Sequence, residues 1–177
     1  MMRIDNVISD TYSKHLEERI KYIDWYYKNT TALSDNDTED QFSFSHNLIS
    51  NNTRTNHADI FTPLILECIS KCEISLDDYY IVRARLGLIT KLSKKIIHDP
   101  HIDYDITPQT EGNLVILYYV NESDGDTYFY KDDNSEDFYN EYKRNSLILF
   151  EGNILHSSSS PISHNNRVAL NINLFKK

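Results

Sequence analysis

The stretch that decides the fold is RVALNINLF, residues 167–175. Its side chains alternate between two faces, which is the pattern of a β-strand with one buried side. The apolar face holds Val168, Leu170, Ile172 and Leu174, and the other holds Arg167, Ala169, Asn171 and Asn173. The apolar face predicts packing against helices, so the second face would look into a barrel.

That second face carries an arginine and two asparagines. Buried polar groups without partners are costly, so an interior position for this face predicts a polar ligand beside it. The alternative is that the face is exposed to solvent, as in many antiparallel sheets.

Other strand-like runs come earlier in the chain. NLVILYYVN (113–121) is the most apolar segment and predicts a buried strand. Ser123-Asp124-Gly125-Asp126 follows as a tight-hairpin signal before a return strand at 127–131. An acidic loop is expected at 132–137, and further strands at 146–150 and 80–88. In the strand at 80–88, Arg83 and Arg85 share one face, which we interpret as solvated; the alternative is that both project toward the mouth of the barrel.

The first third of the chain has a different pattern. Helical spacing of apolar residues predicts helices at 11–22 and 63–72, and a strand is expected at 25–27. Thr62-Pro63 is typical of a helix start. Residues 34–56 are polar and irregular, which favours a long loop.

Together these elements predict a mainly β fold with N-terminal α-helices and a double-stranded β-helix (jelly-roll) core. A length of 177 residues is typical of one domain. We expect residues 1–75 to form helical support and loop, and residues 76–177 to form the jelly-roll core.

Composition narrows the function classes. The formal net charge is -9, and duplex nucleic-acid binding needs clustered basic residues, so that partner is not expected. Cys68 and Cys72 lie four apart in a predicted helix, which favours core packing. The sequence has no signal-peptide or membrane-spanning pattern. We therefore expect a cytoplasmic protein, or one in the host cytoplasm if it is viral, and the oligomeric state stays open.

His101-Ile102-Asp103 is the candidate metal motif. In an extended segment His101 and Asp103 project to the same side of the backbone, which suits two ligands of one ion. Non-haem iron takes two histidines and one carboxylate on one face. The motif alone is weak, and the alternative is a turn in which Asp103 bonds local amides and His101 lies on the surface.

The order of several motifs resembles a known family. His101-x-Asp103, LYYVNESDGDTYF (117–129), LILFEGNILHSSSSP (147–161) and RVALNINLF (167–175) together resemble the iron(II)- and 2-oxoglutarate-dependent dioxygenases. The similarity is to the prolyl-4-hydroxylase-like branch with small viral and bacterial members. It covers roughly residues 82–175, and the N-terminal third carries no motif.

The resemblance implies roles for six residues. His101, Asp103 and His156 would bind Fe(II) and carry catalysis, and Arg167 would pair with the distal carboxylate of 2-oxoglutarate. Tyr119 matches a tyrosine that supports the same carboxylate, and Asn171 would line the pocket. Fe(II), 2-oxoglutarate and O2 are the implied cofactors, with ascorbate possible. The implied reaction releases succinate and CO2 and hydroxylates a protein side chain or a small molecule.

Two departures from the family pattern and two alternatives remain. The connection from Leu86 to His98 is long. Relatives often place a tyrosine late in the strand before the His-x-Asp motif, where this chain has Leu86, so the contact to the proximal carboxylate of 2-oxoglutarate is open. An exposed Arg167 would favour a cupin-like metal enzyme that does not use 2-oxoglutarate. Failure of the three ligands to converge would favour a jelly-roll binding protein without metal.

Overall fold

The computed structural model describes residues 1–30, 41–51, 53–104, 107, 110–131 and 133–177. Its helices are α1 (Asp10–Arg19), followed by a 3-10 turn (Ile20–Tyr22), and α2 (Ala58–Lys71). The strands described are β1 (Met2–Asp5), β2 (Tyr26–Lys28), β3 (Ser43–Ser50), β4 (Thr53–Arg54), β5 (Tyr79–Thr90), β6 (Leu114–Tyr119), β7 (Thr127–Tyr130), β8 (Glu136–Asn140), β9 (Ser146–Glu151), β10 (His156–Ser158) and β11 (Asn166–Lys176).

The strands form two antiparallel sheets. The larger has the order β1-β9-β6-β11-β5-β3-β2, with β4 beside β3, and the smaller has the order β10-β7-β8. Residues 96–101 extend the smaller sheet, because the His98 amide donates to the Ser158 carbonyl at 2.9 Å. His101 and His156 exchange two backbone bonds at 2.9 and 3.0 Å. This arrangement confirms the predicted jelly-roll core with N-terminal helices.

Two apolar layers hold the sheets in place. The outer layer lies between the larger sheet and the helices, where Leu170 and Ile172 of β11 pack in one cluster with Phe61 and Leu64 of α2. The inner layer lies between the sheets and includes Phe129 and Phe150. Each fully buried side chain of this size contributes about 1.5–3 kcal/mol. The predicted division of β11 into a helix-facing side and an interior side is therefore confirmed.

The start of α2 differs from expectation. The helix begins at Ala58 rather than at Thr62-Pro63, and Pro63 lies inside it. A proline there lacks the N–H that would donate to the carbonyl of Asp59. The hydroxyl of Thr62 donates to the preceding carbonyl, that of Ala58, at 2.8 Å.

The expected loop over residues 34–56 is also corrected. β3 occupies Ser43–Ser50 and pairs with β2 and β5, so the N-terminal third contributes strands to the larger sheet. Its strand character is hidden because Ser45 and His46 are buried although polar. Part of the expected loop, residues 31–40, lies outside the described residues.

No tight hairpin joins β6 to β7, because the two strands belong to different sheets. The carboxylate of Asp124 instead accepts bonds from the amides of Ile162, Ser163 and His164 at 3.0–3.1 Å.

The expected acidic loop is shorter than predicted, since β8 begins at Glu136. Phe138 of β8 stacks on Phe129 with a ring separation of 4.9 Å, which holds this polar strand on the smaller sheet. Asp132 lies outside the described residues.

The two cysteines lie where the sequence predicts. Cys68 and Cys72 are free thiols buried in the outer apolar layer, as the spacing predicts. Within the described part of the chain, neither helix has the length and apolar character needed to cross a membrane.

Candidate metal centre and its two cavities

His101, Asp103 and His156 converge on one point. One ligand atom from each residue lies within 4.8 Å of the other two. His101 and His156 are brought together by the backbone pair that joins residues 96–101 to β10. Asp103 follows two residues later and reaches toward the larger sheet, so the three ligands come from segments far apart in sequence.

The histidine rings are oriented by backbone carbonyls. Nδ1 of His101 lies 3.3 Å from the Asp99 carbonyl, and Nδ1 of His156 lies 3.0 Å from the Ile154 carbonyl. A ring nitrogen facing a carbonyl carries the proton, which leaves Nε2 of each ring free to bind a metal. Burial, together with the neighbouring His156, lowers the pKa of His101 to about 4, so its imidazole is neutral at pH 7.

Asp103 is held by three side chains of the larger sheet. Nη2 of Arg83 donates to Oδ1 at 2.8 Å, and the amides of Asn171 and Asn173 donate to Oδ2 at 2.9 and 2.7 Å. Burial alone would raise the pKa of Asp103, whose side chain is only 3% exposed. Attraction to His156, Arg83 and His101 and the bond from Asn171 outweigh that effect, so the pKa lies well below the usual value. The carboxylate is therefore ionised, and its three donors fix its orientation.

Arg167 is buried beside the same site. It is 4% exposed, its Nε donates to the Gly125 carbonyl at 2.9 Å, and its Nη2 donates to the Thr127 hydroxyl at 3.0 Å. Its guanidinium lies 5.4 Å from the ring centre of Tyr142. Among the described residues no carboxylate forms an ion pair with it, so a buried positive charge remains open to an anion.

Gly125 permits this placement of Arg167. A Cβ atom at Gly125 would lie 2.5 Å from the Ser159 carbonyl oxygen and 2.9 Å from Cδ of Arg167. Real Cβ contacts are not that short, so the close approach requires glycine at this position.

The other two predicted ligand-binding residues occupy different places. The Tyr119 hydroxyl donates to Thr127 at 2.8 Å and accepts from Asn140 at 2.8 Å, so it supports Thr127 behind the cavity wall. Asn171 lines the cavity and holds Asp103, and its buried Oδ1 has no hydrogen-bond partner among the described residues. A direct contact from Tyr119 to 2-oxoglutarate stays a prediction.

Two cavities meet at the three converging residues His101, Asp103 and His156. The inner cavity runs from the metal ligands to Arg167 and is lined by Ser43, Arg85, Gly87, Leu88, Ile89, His101, Leu117, Thr127, His156, Ser157, Ser158, Arg167, Ala169 and Asn171. The outer groove lies on the other side and is lined by Tyr27, Lys28, Asn29, Thr30, Ser43, Phe44, Ser45, Arg83, Arg85, Gly87, His101, Ile102 and Asp103. The room for small molecules is about 90 Å³ in the inner cavity and about 510 Å³ in the groove.

Arg83 and Arg85 lie at the site, so the alternative position toward the mouth applies and the favoured interpretation as a solvated face is wrong. Arg83 is paired with Asp103, and the two side chains are 16% and 3% exposed. Arg85 borders both cavities. The register explains the difference, because Arg83 lies opposite Asn173 and Arg85 opposite Asn171 on the interior face of β11. The usable signal in the sequence was the period-two spacing that puts both arginines opposite the apolar face of β5.

Comparison with known proteins gives matches at the level of structure. No protein-family model and no curated protein sequence matches the chain. A 2OG-Fe(II) oxygenase family oxidoreductase from Burkholderia pseudomallei superposes with a TM-score of 0.70 at 9% identity, covering 98% of this chain and 84% of that one. A prolyl-4-hydroxylase from Pseudomonas putida gives a TM-score of 0.61 at 13% identity, covering 99% and 91%.

A third similar structure carries ligands. HygX from Streptomyces hygroscopicus, solved with nickel, 2-oxoglutarate and hygromycin B, gives a TM-score of 0.64 at 9% identity, covering 98% of this chain and 82% of that one. The structures matched also include an epimerase and a carbocyclase from nogalamycin biosynthesis, both dependent on α-ketoglutarate. The shared architecture therefore accompanies several reaction outcomes. This chain has the jelly-roll fold of the 2OG-Fe(II) oxygenases.

Proposed function

We propose that this protein is an Fe(II)- and 2-oxoglutarate-dependent oxygenase. The observation that carries the proposal is one site in which His101, Asp103 and His156 converge at the mouth of a cavity that also contains Arg167, whose guanidinium forms no ion pair with the described residues. Two imidazoles and one carboxylate are the donor set that non-haem Fe(II) prefers, and a guanidinium suits a carboxylate.

The residues present fit the metal. Asp103 supplies the negative charge, and its three donors hold it in one orientation. The backbone carbonyls that face Nδ1 of each histidine hold the rings so that Nε2 points toward the site. Fe(II) bound there would supply O2 activation coupled to oxidative decarboxylation of 2-oxoglutarate to succinate and CO2.

The inner cavity fits the co-substrate. One carboxylate of 2-oxoglutarate would lie at the metal ligands and the other at Arg167, which sits at the buried end. Thr127 lines the cavity and accepts a bond from Arg167, so it would share in holding that distal carboxylate. Because Arg167 is buried, the geometry disfavours a cupin-like enzyme that works without 2-oxoglutarate.

Hydroxylation of a C–H bond, as in the prolyl-4-hydroxylase-like branch, is the outcome we propose. It is supported by the motifs of residues 101–175 and by the similarity to a prolyl-4-hydroxylase structure. The outer groove, which also borders His101 and Asp103, would admit the primary substrate to the open side of the metal.

Native mass measurement without oxygen tests the proposal. We expect the wild-type protein to take up one Fe(II) and then one 2-oxoglutarate, and to release succinate when O2 is admitted. Asp103→Ala removes the anionic ligand and should abolish Fe(II) uptake, whereas the exposed Asp77→Ala should behave as wild type. Iron uptake without 2-oxoglutarate would instead indicate a cupin-like enzyme, and uptake of neither would indicate a binding protein.

A further inference from the structure

Arg85 is, after Arg167, the second guanidinium in the site that forms no ion pair with the described residues. It lies on β5 between the inner cavity and the outer groove, and it borders both. Among the described residues, no hydrogen bond or ion pair is formed by its side chain. Its neighbour Arg83, by contrast, is bonded to Asp103 and Asn173.

The surroundings of Arg85 offset its charge only in part, through attraction to Asp103. Asp103 is the only carboxylate among the described residues that line the groove, and Arg83 already holds it. Lys28 adds a further positive charge at the rim. Burial and the nearby Arg83 both lower the pKa of Arg85, which means that its environment disfavours an unaccompanied positive charge. A buried guanidinium without a bonded anion is stabilised electrostatically when an anion binds beside it.

The strand register places Arg85 on the substrate side. Arg167 lies opposite Ile89 on β5, whereas Arg85 lies opposite Asn171 and, on its other side, Asn47 of β3. Positions 85 and 89 are separated by about 13 Å along a strand. Arg85 therefore lies at the metal end, toward the groove, rather than at the buried end where Arg167 sits.

We propose that Arg85 binds an anionic group of the primary substrate, a carboxylate or a phosphate, and so holds that substrate in the outer groove beside the metal. This inference rests on the proposed function and narrows its substrate to anionic compounds. A planar guanidinium binds either group through two parallel bonds, and Lys28 would add long-range attraction.

The test uses the protein loaded with Zn(II) and 2-oxoglutarate. Zn(II) is diamagnetic and so permits NMR, and bound 2-oxoglutarate prevents the added anions from binding to Arg167. Inorganic phosphate and acetate are titrated separately while the Nε–H signal of Arg85 is followed by NMR. We expect at least one anion to shift that signal, and the better binder identifies phosphate or carboxylate as the preferred group. Absence of any shift in the wild type would overturn the proposal.

Variants make the assignment specific. Arg85→Gln should weaken binding of that anion by roughly 10- to 100-fold, because a charged hydrogen-bond pair is lost. Arg85→Lys keeps the charge and should retain part of the affinity. Arg54→Gln makes the same charge change at an exposed position on β4 and should leave the affinity unchanged. Equal weakening in Arg85→Gln and Arg54→Gln would overturn the proposal by showing a general charge effect.

A parallel titration with 2-oxoglutarate separates this proposal from the proposed function. Under the proposal, Arg85→Gln loses less than tenfold in 2-oxoglutarate affinity, although Arg85 also borders the inner cavity. A tenfold or greater loss would assign Arg85 to the metal-bound carboxylate of 2-oxoglutarate, which overturns the proposal and leaves the proposed function intact. A wild-type protein that binds no 2-oxoglutarate in the presence of metal would overturn both.

Discussion

At the scale of single residues, Arg167 is the sharpest test of the co-substrate. Its guanidinium is buried, and its hydrogen bonds within the described part of the chain go to neutral oxygens of Gly125 and Thr127. Arg167→Ala should raise the dissociation constant of 2-oxoglutarate by roughly 10- to 100-fold, which corresponds to the 1.5–3 kcal/mol of a charged hydrogen-bond pair. Arg167→Lys should recover only part of the loss. The positive charge is kept, but an ammonium cannot make the paired contact.

Calorimetric titration of the Mn(II)-loaded protein without oxygen measures this constant. Metal affinity serves as the internal control, because the ligands are untouched and Mn(II) binding should stay the same. An alanine variant that binds 2-oxoglutarate as tightly as the wild type would remove the co-substrate from this cavity.

Asn173 orients Asp103, a candidate metal ligand. It is 2% exposed, donates to Oδ2 of Asp103 at 2.7 Å and accepts from Nε of Arg83 at 2.9 Å. Asn173→Ala should weaken metal binding by about 10- to 100-fold, the usual effect of losing a group that orients a ligand. Competition with a chromophoric chelator measures the affinity, and Asn165→Ala in an exposed loop is the matched control. Wild-type affinity in Asn173→Ala would show that Arg83 and Asn171 suffice to hold the carboxylate.

At the scale of elements, the connection between β6 and β7 sets the position of Arg167. Gly125→Ala would bring a Cβ within 2.5 Å of the Ser159 carbonyl oxygen and 2.9 Å of Cδ of Arg167. We expect a loss of about 1–3 kcal/mol in the free energy of unfolding, as for other overpacked sites, together with weaker 2-oxoglutarate binding.

Gly87→Ala is the control for that substitution, because a Cβ at Gly87 meets nothing within 4 Å. Urea unfolding of both variants gives the comparison, and Gly87→Ala should unfold like the wild type. Equal stability of the two variants would mean that the loop around Gly125 adjusts without cost.

The strands of the core were predictable where one face is wholly apolar. β11 and β6 alternate between helix-facing and interior side chains, and that pattern is visible in the sequence alone. β3 escaped prediction because polar side chains such as Ser45 are buried in it. The pairing of β7 with β8 and β10 escaped because a local turn signal cannot report which sheet a strand joins.

The candidate site was likewise predictable from the sequence only in part. The positions of the metal ligands followed from a motif and a resemblance, whereas the roles of Arg83 and Arg85 depend on cross-strand register. A sequence shows that both arginines share a face of β5, but not that this face meets Asn171 and Asn173 of β11. The hydrophobic pattern specifies which face of each strand is buried, but it does not specify which distant strand lies beside it.

At the scale of the whole molecule, the ligand set joins the two sheets. His101 and His156 belong to the smaller sheet and its extension, whereas the residues that hold Asp103 belong to β5 and β11 of the larger sheet. A metal bound by all three residues would therefore cross-link the sheets, and its binding free energy would add to the stability of the folded chain.

The metal-free protein should also lose stability in mild acid, and His98 provides the test. This residue is 1% exposed, its Nδ1 lies 3.1 Å from the Ser158 hydroxyl, and its Nε2 has no partner among the described residues. Burial, followed by the charges of Arg167 and His101, lowers the pKa of His98 from 6.5 to about 4. Between those values the unfolded chain carries a proton on His98 that the folded chain lacks. Stability therefore rises with pH across this window and falls as the pH drops from about 6.5 to about 4.

The contribution of one such group is about 1.4 kcal/mol per pH unit within the window. Urea unfolding of the chelator-treated protein at several pH values measures the slope of the free energy of unfolding against pH. His98→Leu should reduce this slope by that amount. The contribution of His101 is present in both proteins and cancels in the comparison. His15→Gln, on the exposed side of α1, should leave the slope unchanged. If His98→Leu keeps the wild-type slope, His98 is protonated equally in the folded and unfolded chains, and the acid sensitivity of the fold must arise at other groups.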